Sequence, residues 1–116
     1  MAEKKEVEAL AARIRPLLAG EEAVVERRMF GGIAFLVNGN MSVSASGQGG
    51  IMLRCVPADT DALVERGAAR MVMRGRAMDG WLRVDASGIE SGEELARWVR
   101  VGVEYARSLP PKEDDH

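Results

Sequence analysis

Apolar positions recur with a helical period near both ends of the chain and with a period of two in its middle. From Val7 to Leu18, hydrophobic residues are spaced three and four apart, which predicts an amphipathic helix. Pro16 lies inside this stretch and predicts a kink or an early end of the helix, because proline removes one helical hydrogen bond. Val24-Val25 offers a short extended piece before the period changes.

The middle of the chain predicts three strands joined by hairpin turns. Residues 33–37 form a short apolar run, residues 41–46 alternate between apolar and polar, and residues 51–56 alternate again after a glycine-rich turn. The segment Asn38-Gly39-Asn40 is a hairpin signal, because asparagine and glycine tolerate the positive φ of tight turns.

The register of this first predicted hairpin has two solutions. A three-residue loop places Phe35 and Val37 on the same face as Met41. A two-residue loop places Ala34 and Leu36 there instead. Because a slip of one residue turns every side chain to the opposite face, the sequence leaves open which of these residues belong to the core.

The second half of the chain predicts a short helix, two strands and a long helix. The short helix covers about residues 59–66, and the strands lie at Met71–Met73 and Trp81–Val84. Residues 91–94 match a capping box that opens the final helix, and Pro110-Pro111 ends it. The order α-β-β-β-α-β-β-α predicts a two-layer α+β fold, an antiparallel sheet with helices on one face.

The composition narrows the function classes. A chain of 116 residues is one domain, which we assign to residues 1–111, with a charged and disordered tail at residues 112–116. Cys55 is the single cysteine and His116 the single histidine, so an internal disulfide, a multi-cysteine metal site and most histidine-based catalysis are excluded. We therefore predict no enzyme activity, no cofactor and no metal. The sequence contains no apolar run of membrane-spanning length and no apolar leader region, which predicts a cytoplasmic protein.

The net charge of −2 conceals an uneven distribution. Residues 27–83 hold eight basic and four acidic side chains, whereas residues 84–116 hold four basic and eight acidic ones. Residues 1–26 are also acidic, with four basic and six acidic side chains. A basic middle between acidic ends is compatible with a charged partner, although the overall isoelectric point of about 5.5 is low for a nucleic-acid-binding protein.

Several short motifs occur together in a fixed order and carry a family resemblance. They are Arg28-Met29-Phe30-Gly31-Gly32, Ile33-Ala34-Phe35, Asn38-Gly39, Leu53-Arg54-Cys55-Val56, Met73-Arg74-Gly75-Arg76-Ala77-Met78, Gly80-Trp81, Ala96-Arg97-Trp98-Val99 and Tyr105-Ala106-Arg107-Ser108-Leu109-Pro110-Pro111. From about residue 6 to residue 111 the chain thus resembles the N-terminal domain of the bacterial TfoX/Sxy family. The resemblance implies an α+β fold and supplies no catalytic residues. Full-length members are regulators of natural competence with a second, helical domain, so this chain is similar to a stand-alone first domain.

Four arginines are the leading candidates for a binding site. Strand alternation directs Arg54 and Arg83 away from the core, and Arg74 and Arg76 flank a glycine in a turn. If their guanidinium groups converge on the uncovered face of the sheet, they would bind a phosphate, a nucleic-acid backbone or an acidic partner. The alternative is a solvated face on which each arginine pairs with a neighbouring carboxylate.

The segment before the first hairpin is a second candidate. The pair Gly31-Gly32 could bring backbone N–H groups close to an anion. A bend or bulge with Met29 and Phe30 packed beneath it is the commoner use of such glycines.

Other polar and sulfur-containing residues favour structural roles. We expect Ser42, Ser44 and Ser46 to face solvent, and Cys55 to be buried beside Ile51 and Leu53.

Methionine and tryptophan residues of the second half also favour packing roles. Met71 and Met73 are expected in the core, with Met78 close to them in sequence, although an adaptable binding surface is the other use of clustered methionines. We expect Trp81 and Trp98 to pack the last strand against the last helix.

These observations favour a non-enzymatic interaction module that binds a protein partner. The resemblance to the TfoX/Sxy family implies a regulatory role for it. A homodimer through the open sheet face is a variant of this prediction. The first alternative is nucleic-acid binding through the basic middle of the chain, and the second is an enzyme that acts on a small anionic substrate. We expect no membrane association.

Overall fold

The computed structural model describes residues 3–112 and contains three α-helices and six strands within them. The helices are α1 (Lys4–Ile14), α2 (Thr60–Glu65) and α3 (Gly92–Ser108). The strands are β1 (Val24–Met29), β2 (Gly32–Val37), β3 (Asn40–Ala45), β4 (Ile51–Arg54), β5 (Ala69–Met73) and β6 (Arg76–Val84). A 3₁₀ turn at Arg15–Leu18 continues α1, so the helix ends where Pro16 predicts. The predicted tail falls outside the described residues from 113 onward.

The six strands form one antiparallel sheet in the order β1-β2-β3-β4-β6-β5. Helices α1 and α3 pack on one face, and the core lies between them and the sheet. Its largest fully buried side chains come from both layers: Phe35, Ile14, Ile33, Ile51, Leu53, Leu82, Ile89 and Leu95. The predicted two-layer α+β fold is therefore confirmed. None of the helices in this part of the chain is long and apolar enough to cross a bilayer.

The predicted element order is confirmed, with β1 as an additional strand. The sequence indicated only a short extended piece at Val24-Val25, but all six residues of β1 pair with β2. The turn that joins the two strands has Phe30 at φ +52° and Gly31 at φ +76°. Two consecutive positive φ angles are typical of the two-residue turns that match the natural twist of a hairpin. The segment that we interpreted as a bend is thus a hairpin turn.

The hairpin between β2 and β3 combines both predicted registers. Asn38 and Gly39 have positive φ and form a two-residue loop, which pairs Leu36 with Met41. A bulge then shifts the register, so Phe35 pairs with Val43. The bulge places Val43 in the core and Met41 on the opposite face of the sheet, because an extra residue in one strand reverses the alternation.

The predicted solvent-facing serine stripe is wrong. Ser42, Ser44 and Ser46 are all buried. Ser42 lies under α3 and donates a hydrogen bond of 2.8 Å from its hydroxyl to the carbonyl of Phe35, which satisfies both groups. The prediction failed because the bulge turns Ser42 toward α3, whereas Ser44 and Ser46 point to the opposite face of the sheet and are covered there by neighbouring side chains.

Candidate functional site

The face of the sheet opposite α1 and α3 forms an open groove of about 330 Å³ that receives side chains from all six strands. We call it the methionine groove, because six of the seven methionines of the chain line it. They are Met29 of β1, Met41 of β3, Met52 of β4, Met71 and Met73 of β5, and Met78 of β6. Its volume lies in the lower part of the range typical of ligand sites.

Strand pairing explains why the methionines share one face. Val43, Leu53 and Leu82 are paired across β3, β4 and β6, and all three are buried in the core. Their chain neighbours point to the opposite face, because successive side chains of a strand alternate. Met52 lies there, paired with Arg83. The groove is therefore lined by the strand residues that alternate with the core residues and point to the opposite face of the sheet.

The two edge strands border the same groove. Met29 belongs to β1 and Met73 to β5, which are the opposite edges of the sheet. Six strands spaced about 4.8 Å apart span about 24 Å, so the sheet has to curve for both edges to line one cavity. Phe30 lies at the rim with 91% of its surface exposed, and Met73 is 56% exposed. The expectations that Met71 and Met73 are core residues and that Phe30 packs beneath the bend are wrong, because all three residues border the groove.

Arg83 anchors the turn between β3 and β4 at one end of the groove. Its guanidinium donates to the hydroxyl of Ser46 at 3.1 Å and to the carbonyl of Gly49 at 2.8 Å. Both acceptors are neutral, so these hydrogen bonds fix the side chain without cancelling its charge. Arg83 therefore gives the groove one positive charge.

Arg54 has the most unusual environment of the four predicted arginines. Its guanidinium carbon lies 4.8 Å from the centre of the Trp81 ring and 5.1 Å from the centre of the Tyr105 ring. Trp81 lines the groove and Tyr105 belongs to α3. Nη2 is 3.5 Å from the Tyr105 hydroxyl, and the buried Nε has no hydrogen-bond partner among residues 3–112. Arg54 is thus held by two aromatic faces, and one of its donors is unsatisfied.

The predicted packing role of Trp81 needs a correction as a result. Trp98 of α3 is buried in the core, but the Trp81 ring is half-buried in the groove. Its link to α3 passes through Arg54, because that guanidinium stacks on both Trp81 and Tyr105.

Arg74 and Arg76 lie at the tip of the hairpin that joins β5 and β6. The turn consists of Arg74 at φ +53° and Gly75 at φ +76°, and both arginines are exposed. Asp79, a neighbour that could have paired with them, binds Arg70 at 3.0 Å. No ion pair of Arg74 or Arg76 is present in the described part of the chain. The four candidate arginines therefore occupy three different environments.

Gly32 lets two turns pack against each other at the end of the groove. A Cβ atom on Gly32 would fall onto the carbonyl oxygen of Ala45, and one on Gly47 would lie 2.7 Å from the carbonyl oxygen of Phe30. Gly31 supplies the positive φ of the β1–β2 turn. These glycines bring backbone close to backbone, and that contact holds Phe30 at the rim.

The chemistry of the site is that of binding. The described residues that line the groove include methionine, aromatic, small and polar side chains and one arginine, without a carboxylate, histidine or cysteine. Cys55 is buried on the opposite face, where desolvation raises the pKa of its thiol. Within residues 3–112 there is no group of three or more metal-ligating side chains. The groove can thus accept apolar groups, and its arginines can accept an anion.

Sequence reasoning offered a binding surface only as the alternative role of Met71, Met73 and Met78, and it did not connect Met29, Met41 and Met52 with them. The signal that was present is the recurrence of methionine at strand positions that alternate with core residues, as Met52 does between Ile51 and Leu53. It becomes informative only when the pairing of β4 with β6 and the position of β5 are known.

Comparison with known proteins places the whole site within a family domain. The family model of the TfoX N-terminal domain matches residues 16–106. This range contains all the residues that line the methionine groove, together with Arg54 and Tyr105. A search of the curated proteins gives no match.

Proposed function

Because the chain belongs to the TfoX N-terminal domain family, we propose that it is a non-enzymatic interaction module with a regulatory role, which binds an apolar segment of a partner protein in the methionine groove. The observation that carries the proposal is the groove itself, with six methionines and an exposed phenylalanine on the sheet face opposite α1 and α3. A contiguous exposed apolar surface of this kind marks an interaction site more often than a free surface.

Methionine suits a surface that receives a peptide. Its side chain is unbranched and flexible, and its sulfur is polarizable, so a methionine surface adapts to apolar groups of different shape. Phe30 at the rim adds a large apolar group that loses contact with water when a partner covers it. The groove volume of about 330 Å³ accommodates side chains and excludes a folded element. A partner segment would therefore lie over the groove and insert apolar side chains.

The site offers little to an enzyme mechanism. General acid–base catalysis needs a titratable group within hydrogen-bond reach of the substrate, and the described lining of the groove contains no carboxylate, histidine or cysteine. The buried position of Cys55 supports the same proposal, since a thiol with a raised pKa is a poor nucleophile near neutral pH. The cytoplasmic location predicted from the sequence remains a prediction.

Selection from a random peptide library tests the proposal. A library of 16-residue peptides displayed on phage is long enough to span the groove. Even as a helix, with a rise of about 1.5 Å per residue, such a peptide covers the sheet width of about 24 Å. Enriched peptides are synthesised with a fluorescent label, and their affinity is measured by anisotropy. We expect Phe30→Ala and Met73→Ala each to weaken binding about tenfold, the effect of losing roughly one buried side chain.

Val72→Ala is the matched control for Met73→Ala. Val72 is the preceding residue of the same strand and is 63% exposed, and it does not contribute to the described lining of the groove. We expect its affinity to stay within about twofold of the unmodified protein, since surface substitutions away from a binding site have small effects. Peptides that bind all three variants equally well, or a library that yields no enriched peptide, would contradict the proposal.

A further inference from the structure

Arg54 carries a hydrogen-bond donor that the described structure leaves unused. Its Nε atom is buried and has no partner in residues 3–112. Buried polar groups in native proteins are nearly always hydrogen-bonded, because an unsatisfied buried donor loses its water without compensation. The side chain cannot turn freely to solvent, since its guanidinium contacts two aromatic rings.

The planar geometry of the guanidinium determines where an acceptor can bind. The guanidinium carbon lies over the rings of Trp81 and Tyr105, at 4.8 Å and 5.1 Å from their centres. The N–H groups of arginine lie in the plane of the guanidinium and point outward from its edges. An acceptor therefore has to approach in that plane, and a carboxylate fits because its two oxygens match the guanidinium fork.

The site lies next to the methionine groove. Trp81 contacts Arg54 and also lines the groove, so a group bound to Arg54 is adjacent to a segment that occupies the groove. Three other arginines of the β5–β6 hairpin have no carboxylate partner among the described residues. Arg83 in the groove has neutral acceptors, and Arg74 and Arg76 at the neighbouring hairpin tip have no ion pair within the described residues. This charge is complementary to an acidic partner.

We propose that Arg54 is a specificity-determining residue, which recognises a carboxylate of an otherwise apolar partner segment seated in the methionine groove. This inference rests on the proposed function, because it assigns the chemistry of the partner to the same groove. The partner is a protein segment with apolar residues for the groove and an aspartate or glutamate for Arg54. The two aromatic rings position the guanidinium before the partner arrives, which lowers the ordering cost of the ion pair.

The experiment uses the synthetic peptides selected on the unmodified protein. We expect each groove-binding peptide to contain an aspartate or glutamate whose change to the corresponding amide weakens binding at least about tenfold. In Arg54→Gln, the peptide and its amide form should bind with equal affinity, because the partner of the carboxylate is absent. Arg97→Gln is the control for a general charge effect, since Arg97 is 71% exposed on α3 and pairs with Glu93. It should preserve the difference between the two peptides.

Arg54→Lys provides a second measurement if Arg54→Gln fails to give a folded protein by circular dichroism. Lysine retains the charge but has no planar fork, so we expect the difference between the acidic peptide and its amide form to fall to about threefold or less. A difference that stays at its original size in the lysine variant overturns the role of the guanidinium.

The outcomes separate the two proposals. Peptides that depend on Phe30 and Met73 but lack an acidic residue, or whose acidic residue is equally important in Arg54→Gln, overturn this inference and leave the proposed function intact. A library without any groove-dependent peptide overturns the proposed function itself. A dimer seen by light scattering that Phe30→Ala dissociates would also overturn the inference, because a second copy would then fill the groove.

Discussion

Arg54 and Cys55 are neighbours in the chain and have opposite environments. The guanidinium of Arg54 contacts two aromatic rings beside the groove, whereas Cys55 is 1% exposed in the core. Alternation along a strand accounts for the difference, since successive side chains point to opposite faces. The sequence was sufficient to predict the burial of Cys55 for this reason. It could not indicate the stacking of Arg54, because Trp81 and Tyr105 come from distant elements of the chain.

The burial of Cys55 predicts an inert thiol. Desolvation raises its pKa from the ordinary value of 9.0, and the reactive form of a thiol is the thiolate. At pH 8 we expect a disulfide reagent such as Ellman's reagent to modify the native protein at least about 100-fold more slowly than the protein in guanidinium chloride, since reaction requires local opening.

A displaced thiol is the control for this measurement. In the double variant Cys55→Ala and Val56→Cys, the thiol moves by one residue to a position that is 43% exposed in the native protein. This variant should react at a rate close to that of the denatured protein. Rapid modification of Cys55 in the native protein would contradict the burial described above.

At the scale of elements, the close approach of α3 to β3 depends on one glycine. A Cβ atom on Gly102 would fall onto the backbone carbonyl of Ser42, which cannot move without disturbing the strand. Ser42 lies at the bulge between β2 and β3, where its hydroxyl binds the carbonyl of Phe35. The helix and the irregular part of the sheet are therefore fitted to each other.

Gly102→Ala should destabilise the protein by about 1–3 kcal/mol, the usual cost of forcing additional atoms into a packed interface. The matched control is Gly92→Ala at the start of the same helix, where an added Cβ meets no atom within 4 Å. That change should leave stability unchanged or raise it by up to about 1 kcal/mol, since alanine has the higher helix propensity. Guanidinium chloride unfolding followed by tryptophan fluorescence measures both variants. Equal unfolding midpoints would contradict the proposed contact.

The elements also show the limits of sequence analysis. The end of α1 at Pro16, the turn at Asn38-Gly39 and the start of α3 at Ser91 follow from local chemistry, and all three are present. The sequence predicts only the first two residues of strand β1 as extended, because charged residues interrupt its apolar pattern. Such charges are expected on an edge strand. The groove could not be predicted from the sequence, because it forms only when the sheet curves and brings its two edge strands, β1 and β5, to the same cavity.

At the scale of the whole molecule, opposite charges are distributed over the surface and partly paired. Arg15 binds Glu26 at 2.7 Å and Arg107 binds Glu21 at 2.8 Å, and none of these four residues lines the groove. The arginines of the basic middle do not form one continuous basic face, because Arg28 and Arg70 bind carboxylates and the four candidate arginines lie in three separate environments. This distribution bears on the alternative of nucleic-acid binding.

We expect no specific affinity for nucleic acid. A labelled 20-nucleotide single strand and the corresponding duplex, measured by anisotropy at low salt, should bind no more tightly than they bind a control protein of similar net charge. A net charge of −2 gives no long-range attraction to phosphates. Strong binding that weakens steeply and linearly on a logarithmic salt scale would contradict this prediction and support the nucleic-acid alternative.

The concentration of methionines on one surface has a practical consequence for spectroscopy. Six of the seven methionine methyl groups of this protein lie around a single groove. Selective ¹³C labelling of these methyl groups would give a spectrum of seven signals, of which six report on one surface. A molecule that enters the groove would shift several of these signals together. A molecule that binds on the side of α1 and α3 would leave most of them unchanged. The protein thus carries its own set of reporters for the site at which we expect its partner.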